Sequence, residues 1–339
     1  YTDLAMMENS LKFIDLFCGV GGIRLGMENA GFDCSFSCDI NEDCQKTYFE
    51  NFGELPKGDI KSIDEKSVPD HQILCAGFPC QPFSISGRQK GFADTRGTMF
   101  FEICRIIKEK NPPVVMLENV KHLVHHDHGN TLKTIISNLE ELGYTVNSKV
   151  LNATDFGVPQ NRERILIIGS KDGKKFDFSK VKTEKKTRLA DFLDNADDEN
   201  FEFLPKDSYT LIENPKKQVS GLIFSGYRNK SIRKVGVRAG TEHLSRVHKQ
   251  PNRIYSVQGV HPTLPSQEPS GRYFILLEDG RVRKLTLNEC WRIMGFPETY
   301  KKISSTAEQY KQLGNSVCVP MISAVAEQIK EQFFGEQNG

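Results

Sequence analysis

Apolar residues recur along the first half of the chain in short blocks. Each block is followed by a glycine- or proline-marked turn and then by a stretch with helical spacing. Residues 12–17 read as a first strand, 19–22 as a tight turn, and 23–30 as a helix ended by Gly31. Residues 35–40 read as a second strand, with a helix near 42–51, and 72–76 as a third strand. A helix over 98–110 is stopped by Pro112 and Pro113, and 114–117 is a buried strand. A helix over 132–142 ends at Gly143, and 165–168 is a further strand. Strands alternating with helices of this length predict an α/β domain built on a mostly parallel sheet with both faces covered. Ligands of such sheets lie beyond the carboxyl ends of the strands.

After about Lys185 the pattern breaks. Glycine, proline and charge dominate, and the strands, as at 254–257 and 273–277, are short and irregular. Helical spacing returns at 287–294 and 319–334. The predicted organisation is an α/β domain over 11–185, a smaller, irregular β-rich domain over 186–285, and a return to the first domain over 286–339.

The 339 residues are 38% hydrophobic and 26% charged, which excludes a disordered chain, a collagen-like fibre and a coiled coil. The longest purely apolar run, residues 114–117, is far short of a membrane span. The first residues have no basic stretch followed by an apolar one, so no signal peptide is expected, and a natural start is expected at Met6 or Met7. Nine cysteines, an odd number without paired spacing, read as reduced thiols of a cytoplasmic protein rather than as a zinc site. The net charge of +1 hides a split. Residues 191–213 carry eight acids against Lys206 alone, net −7, and residues 216–253 carry ten bases against Glu242 alone, net +9. The basic stretch is either a solvated surface or the contact for a polyanion such as nucleic acid; its glycines allow close backbone approach.

Three places carry candidate chemistry. Phe17-Cys18-Gly19-Val20-Gly21-Gly22 lies between strand and helix, and Asp39 closes the next strand. The pair reads either as a plain tight turn or as a nucleoside-cofactor loop with an acid for ribose hydroxyls. Arg24 stands where a third glycine would support a dinucleotide, which argues against NAD and leaves S-adenosylmethionine open. Cys80, between Pro79 and Pro82 and directly after the third strand, is either an inert thiol or a nucleophile at the sheet edge. Glu118 leaves an apolar strand either as a helix-capping acid or as a general acid/base. Arg162 and Arg164, entering the 165–168 strand, form surface ion pairs or hold an anionic or carbonyl-bearing ligand. His122, His125, His126 and His128 read as a solvated loop rather than a metal site.

Taken in order, residues 13–22, Pro79-Cys80-Gln81-Pro82-Phe83-Ser84, Arg96-Gly97-Thr98, Glu118-Asn119-Val120, 160–164 and Gly314-Asn315-Ser316-Val317 resemble the DNA (cytosine-5)-methyltransferase family, of the bacterial restriction-modification type. The resemblance covers roughly residues 12–334 and is weakest over 186–253. It implies a Rossmann-like S-adenosylmethionine-dependent methyltransferase domain, a target-recognition domain over 186–285, and double-stranded DNA as substrate. By resemblance, Phe17, Gly19, Gly21 and Gly22 cradle the cofactor with Pro79, and Asp39 takes its ribose. Ile40 packs on adenine, Asp59 beside Ile60 meets the adenine amine, and Asn315 and Ser316 close the pocket. Asp39 is shorter than the glutamate common in the family, and Ile40 replaces the frequent Trp, which implies a weaker hold on the cofactor rather than lost function.

The implied reaction makes a poor nucleophile reactive. The Cys80 thiolate adds to carbon 6 of a cytosine flipped out of the helix, and carbon 5 then takes the methyl group. Glu118 shares a proton at N3, Arg164 holds O2, Arg162 organises the site, and S-adenosylhomocysteine is the product. Residues 81–100 read as a lid or as an ordinary flexible loop, with Gln81, Ser84, Ser86, Arg88 and Arg96 as DNA contacts. Arg228, Arg233, Arg238 and Arg246 are further DNA contacts in the basic stretch. The resemblance implies no metal, a monomer, and a cognate restriction endonuclease as functional partner. The alternatives are a tRNA cytosine-5 methyltransferase and a catalytically silent DNA-binding relative.

Overall fold

The computed structural model describes residues 10–79, 99–195, 201–230, 238–266 and 273–335. Its centre is a six-stranded sheet in the order β2-β1-β3-β4-β6-β5. The strands are β1 (Lys12–Leu16), β2 (Asp33–Cys38), β3 (Ile73–Gly77), β4 (Val114–Val120), β5 (Thr145–Asn152) and β6 (Glu163–Ser170). β6 runs antiparallel to both its neighbours, while β2, β1, β3 and β4 pair in parallel. The reversal of strand order beside β1 opens a crevice beyond the ends of β1 and β3.

The period-two alternation of these strands sends successive side chains to opposite faces. Phe13, Ile73, Cys75, Val114 and Met116 face one way, against α1 (Gly22–Asn29) and the C-terminal helix α7 (Val319–Phe334). Ile14, Leu74, Ala76, Val115 and Leu117 face the other, against α3 (Met99–Lys110) and α4 (Asn130–Glu141). Both faces are therefore dry, which explains why the central strands read as continuous apolar runs. α1 and α7 touch closely: a Cβ on Gly26 would lie 2.5 Å from Ile322.

A second sheet, in the order β11-β10-β9-β8-β7, is built from β7 (Tyr209–Leu211), β8 (Phe224–Arg228), β9 (Arg253–Ser256), β10 (Phe274–Leu276) and β11 (Val282–Lys284). Its own buried clusters are small, Phe224 with Tyr255 and Tyr273, and Ile254 with Phe274 and Val282. A larger cluster joins Val257 and Ile275 of this region to Val20, Trp291, Tyr310 and Val319. The junction also holds a polar knot. Arg283, from β11, donates to both oxygens of Glu289 at 2.7 and 2.9 Å, with both side chains buried. Glu289 lies in α5 (Leu287–Arg292), where it completes a capping box with Thr286 and accepts from the Asp194 backbone at 2.8 Å. The remaining helices are α2 (Glu42–Phe52) and α6 (Thr306–Asn315). Among the described residues, no helix is long and apolar enough to cross a membrane.

One polar group lies inside the first core. Asp15 of β1 is fully buried; its Oδ2 accepts from the Tyr48 hydroxyl at 3.1 Å and its Oδ1 has no partner. Burial raises its pKa from 3.8 to about 8, against the hydrogen bond from Tyr48 and the charge of Arg24. The folded pKa lies above the unfolded one, so the acid's stabilising contribution is fully present below pH 3.8 and is lost as pH rises to about 8. Urea unfolding should therefore show stability falling by up to ~1.4 kcal/mol per pH unit from this group across that window. Asp15→Asn, which cannot ionise, should flatten the slope; an equally steep slope in the variant would exclude Asp15 as its source.

Candidate functional site

The site starts where β1 ends. Phe17 (φ 54°), Gly19 (φ 52°) and Gly21 (φ 87°) adopt left-handed backbone, which turns the chain sharply into α1. Position 21 tolerates no side chain: a Cβ there would lie 2.3 Å from the Phe52 ring. Asp39 ties this turn to the end of β2. Its Oδ2 accepts from the Gly19 backbone and its Oδ1 from the Asn41 backbone, each at 2.8 Å. Burial raises its pKa, opposed by those two backbone donors.

Between this turn and the C-terminal segment lies a cavity of about 110 Å³. Phe17, Gly19, Val20 and Gly22 form one wall, Gly77 and Glu118 the floor, and Asn315 and Ser316 the opposite side. The fit is tight, since a Cβ on Gly22 would lie 2.8 Å from Ser316 Oγ. That hydroxyl is buried and has no hydrogen-bond partner.

Glu118, at 8% exposure, sits beside the cavity on β4 and caps no helix; the short helical turn that follows has no side-chain cap. Its Oε1 lies 3.5 Å from Arg164 Nε. Burial raises the Glu118 pKa, while Arg164 and Arg162 oppose the rise. Burial also lowers the pKa of Arg164. The pair is thus a carboxyl with a raised pKa beside a cation in a dry place, an arrangement suited to proton transfer. Asn119 donates to the Phe78 carbonyl at 3.1 Å, holding the backbone just ahead of Pro79.

Arg162 is not itself among the cavity's lining residues. It is fully buried, and its guanidinium donates to the carbonyls of Gly314 and Ser316, both at 2.8 Å, and of Leu264 at 3.1 Å. It therefore positions the loop that carries Asn315 and Ser316.

Of the residues expected from the sequence, Phe17, Gly19, Gly22, Glu118, Asn315 and Ser316 meet around the cavity, and Gly21 backs it. Asp39, Ile40, Asp59, Ile60 and Pro79 are outside its walls. Ile40 is 72% exposed, Ile60 is buried, and Asp59 caps a helical turn by accepting from Lys61 N at 2.9 Å. Cys80, Gln81, Ser84, Ser86, Arg88, Arg96 and Arg233 lie outside the described residues. Arg238 and Arg246 are exposed, and neither makes an ion pair among the described residues; Arg228 sits over the Phe274 ring at 5.2 Å. The sequence reading missed Asn41, Cys44, Glu308, Lys311 and Gln312, which also line the cavity. The last three lie on α6 with Asn315 at spacings of three and four, the one signal that could have found them. Among the described residues, no group of three His, Cys, Asp or Glu is arranged to hold a metal.

Replacing Arg162 by Met should cost ~3 kcal/mol in urea unfolding, because the carbonyls of Leu264, Gly314 and Ser316 lose a charged donor. Arg162→Lys should recover only part of this, since one ammonium cannot reproduce the fork. Wild-type stability in the Met variant would show that the loop does not depend on it.

The geometry can be set beside known proteins. The family model for C-5 cytosine-specific DNA methylase matches residues 11–331. The chain is 43% identical over 329 residues to Type II methyltransferase M.HhaI of Haemophilus parahaemolyticus, covering 94% of each. It is likewise 43% identical over 318 residues to Type II methyltransferase M.HaeII of Haemophilus aegyptius, covering 93% of this chain and 91% of that one. Among solved structures, the S. pombe Dnmt2 methyltransferase shares the fold with a TM-score of 0.67 at 21% identity, over 95% of this chain and 99% of that one.

Proposed function

The chain belongs to the C-5 cytosine-specific DNA methylases, and from that membership and the cavity beside Glu118 we propose how its own residues carry the reaction. It is a DNA (cytosine-5) methyltransferase and needs a methyl donor. The donor is S-adenosylmethionine, which supplies an electrophilic methyl group and leaves as S-adenosylhomocysteine. The observation that carries this reading is the cavity at the ends of β1 and β3, lined by Ser316, whose hydroxyl is unpartnered, and by the buried acid Glu118. The residues fit such a donor. The glycines of the β1–α1 turn let its backbone come close, and Ser316 Oγ awaits a polar partner. Each Asp39 oxygen receives one N–H, which leaves acceptor capacity for ribose hydroxyls. Exposed Ile40 offers adenine an apolar face, and Asp59 meets its amine beside Ile60.

Cys80 adds through sulfur to carbon 6 of the flipped cytosine, which makes carbon 5 nucleophilic. Glu118 holds the proton at N3, where charge builds on the ring, and its raised pKa suits that task. Arg164 holds O2, and Arg162 keeps the surrounding loop in place. Loss of the carbon 5 proton to water then lets the Cys80 sulfur leave. The second sheet and its basic segment, including Arg228, Arg238 and Arg246, hold double-stranded DNA within the 186–285 region. The protein works as a monomer in the cytoplasm and shields DNA from a cognate restriction endonuclease, in keeping with the Type II names of its relatives.

The test incubates the protein with S-adenosylmethionine and unmethylated bacterial DNA, followed by sequencing after bisulfite conversion. Cytosines protected within one short recurring sequence are expected. Cys80→Ser should lower the rate by at least about a thousandfold while DNA binding survives. Protection of tRNA cytosines in place of DNA would reassign the substrate, and retained turnover in the variant would remove Cys80 from the mechanism.

A further inference from the structure

The histidines over 122–128 have no role in the mechanism above. β4 ends at Val120, opposite Arg164 of β6, and the chain runs on through two short helical turns, Lys121–Val124 and His126–Gly129, into α4. His122 is four residues beyond Glu118, so their α-carbons are at most ~14 Å apart. His122, His125 and His128 are exposed. His126 is half-buried and anchors the segment: its Nδ1 hydrogen-bonds Thr131 Oγ1 at 2.6 Å, and its ring meets the His122 ring edge-on at 6.2 Å. The backbone is strained here. Asp127 (φ 50°) and His128 (φ 55°) are both left-handed, and Gly129 (φ 84°) follows. Such backbone is uncommon for residues with a Cβ, and strain of this kind gathers at functional sites.

The surrounding charges decide what the segment can hold. Lys121 pairs with Glu163 at 3.1 Å, and Asp127 is exposed with no ion pair among the described residues. β6 also brings Arg164, which stands against Glu118 at 3.5 Å, and α4 carries Lys133, with Glu140 and Glu141 at its far end. With the imidazoles neutral, Lys121 faces Asp127 and Glu163, a net charge of −1. With the three exposed imidazoles protonated, the same surface carries +2. Imidazole is the side chain that changes charge between about pH 5 and 8.

We propose that the 122–128 segment is a proton-dependent contact for the phosphates of the target strand. This rests on the DNA reading above. A strand whose cytosine reaches Glu118 carries a phosphate every ~3.4 Å of helix axis, so several come within reach of these imidazoles. Each protonated imidazole offers a phosphate oxygen an N–H donor and a charge. Binding takes up protons, so affinity rises as pH falls. Phosphates are alike at every step, so the gain is independent of sequence. The catalytic edge thus has a grip on DNA of its own, separate from that of the second sheet.

Fluorescence anisotropy of a labelled duplex of unselected sequence, at about pH 6 and about pH 8 and constant salt, tests the assignment. Wild type should bind about tenfold or more tightly at the lower pH, the worth of a hydrogen bond between charged groups. The triple variant His122→Asn, His125→Asn, His128→Asn keeps polar side chains, and Asn tolerates left-handed backbone. It should lose most of that ratio, and at the lower pH its binding should show a salt slope smaller by about 1 to 3. Every other titrating group is common to both proteins, so the difference isolates the three imidazoles. An unchanged ratio in the variant would overturn the proposal. So would a lost ratio with an unchanged salt slope, because the imidazoles would then act through the fold and not on phosphate. If the triple variant unfolds, His125→Asn, on unstrained backbone (φ −104°), decides: a ratio lowered by about twofold supports the contact and an unchanged one overturns it. Wild type that binds no duplex at either pH would instead sink the DNA reading, and the proposal with it.

Discussion

The site depends on one buried guanidinium. Arg162 has no solvent to share its charge and spends its hydrogen-bonding fork on main-chain carbonyls of Leu264, Gly314 and Ser316, segments far apart in sequence. Burial and the nearby Arg164 charge push its pKa down, with Glu118 opposing. The charge is tolerable because it is surrounded by carbonyl dipoles and stands near a carboxyl. Gln160 extends the brace by accepting from Leu264 N and donating to the Ile293 carbonyl. Through these contacts the residues entering β6 fix the loop that carries Asn315 and Ser316. That loop and the turn after β1, some three hundred residues apart, line one pocket.

The opposite wall is set by steric limits rather than charge. Gly21 lies against Phe52 of α2 and Gly22 against Ser316, so the turn after β1 is gripped from both sides. Asp39 fixes it from below through Gly19. A turn held this firmly spends little entropy when a ligand arrives, the usual route by which preorganisation becomes affinity.

Much of this was legible in the sequence because each central strand is doubly buried and flanked by strong punctuation. The strands expected at 12–17, 72–76 and 114–117 lie within three residues of β1, β3 and β4 at each end, and the helix expected at 319–334 coincides with α7. Edge and polar elements were not. β5 is an edge strand with mostly half-buried residues, so it shows neither an apolar run nor clean alternation. α6 is polar along its length, and its buried face uses Gln309 and Gln312 beside Tyr310 and Leu313, which a hydrophobic pattern overlooks. The same residues explain why part of the cavity went unread: glutamine carries no signature of chemistry until its partners are known. The roles of Glu118 and Arg164 needed the fold for another reason. Only the antiparallel pairing of β4 with β6 brings their strands side by side.

The polar knot at the edge of the second sheet has a consequence for how the molecule comes apart. β11 is bound through Arg283 and Glu289 to α5, and α5 belongs to the large cluster around Trp291. Among the described residues β7 has no such tether; it is the sheet's other edge, paired there only with β8, and two of its three residues are exposed. The sheet therefore has a firm border and a loose one. Amide protection should decline across it from β11 towards β7, with the outer strands opening by local fluctuations while the anchored border exchanges with the main core. A surface that can rearrange at one margin without disturbing the other can change what it touches while the chemistry behind it stays the same.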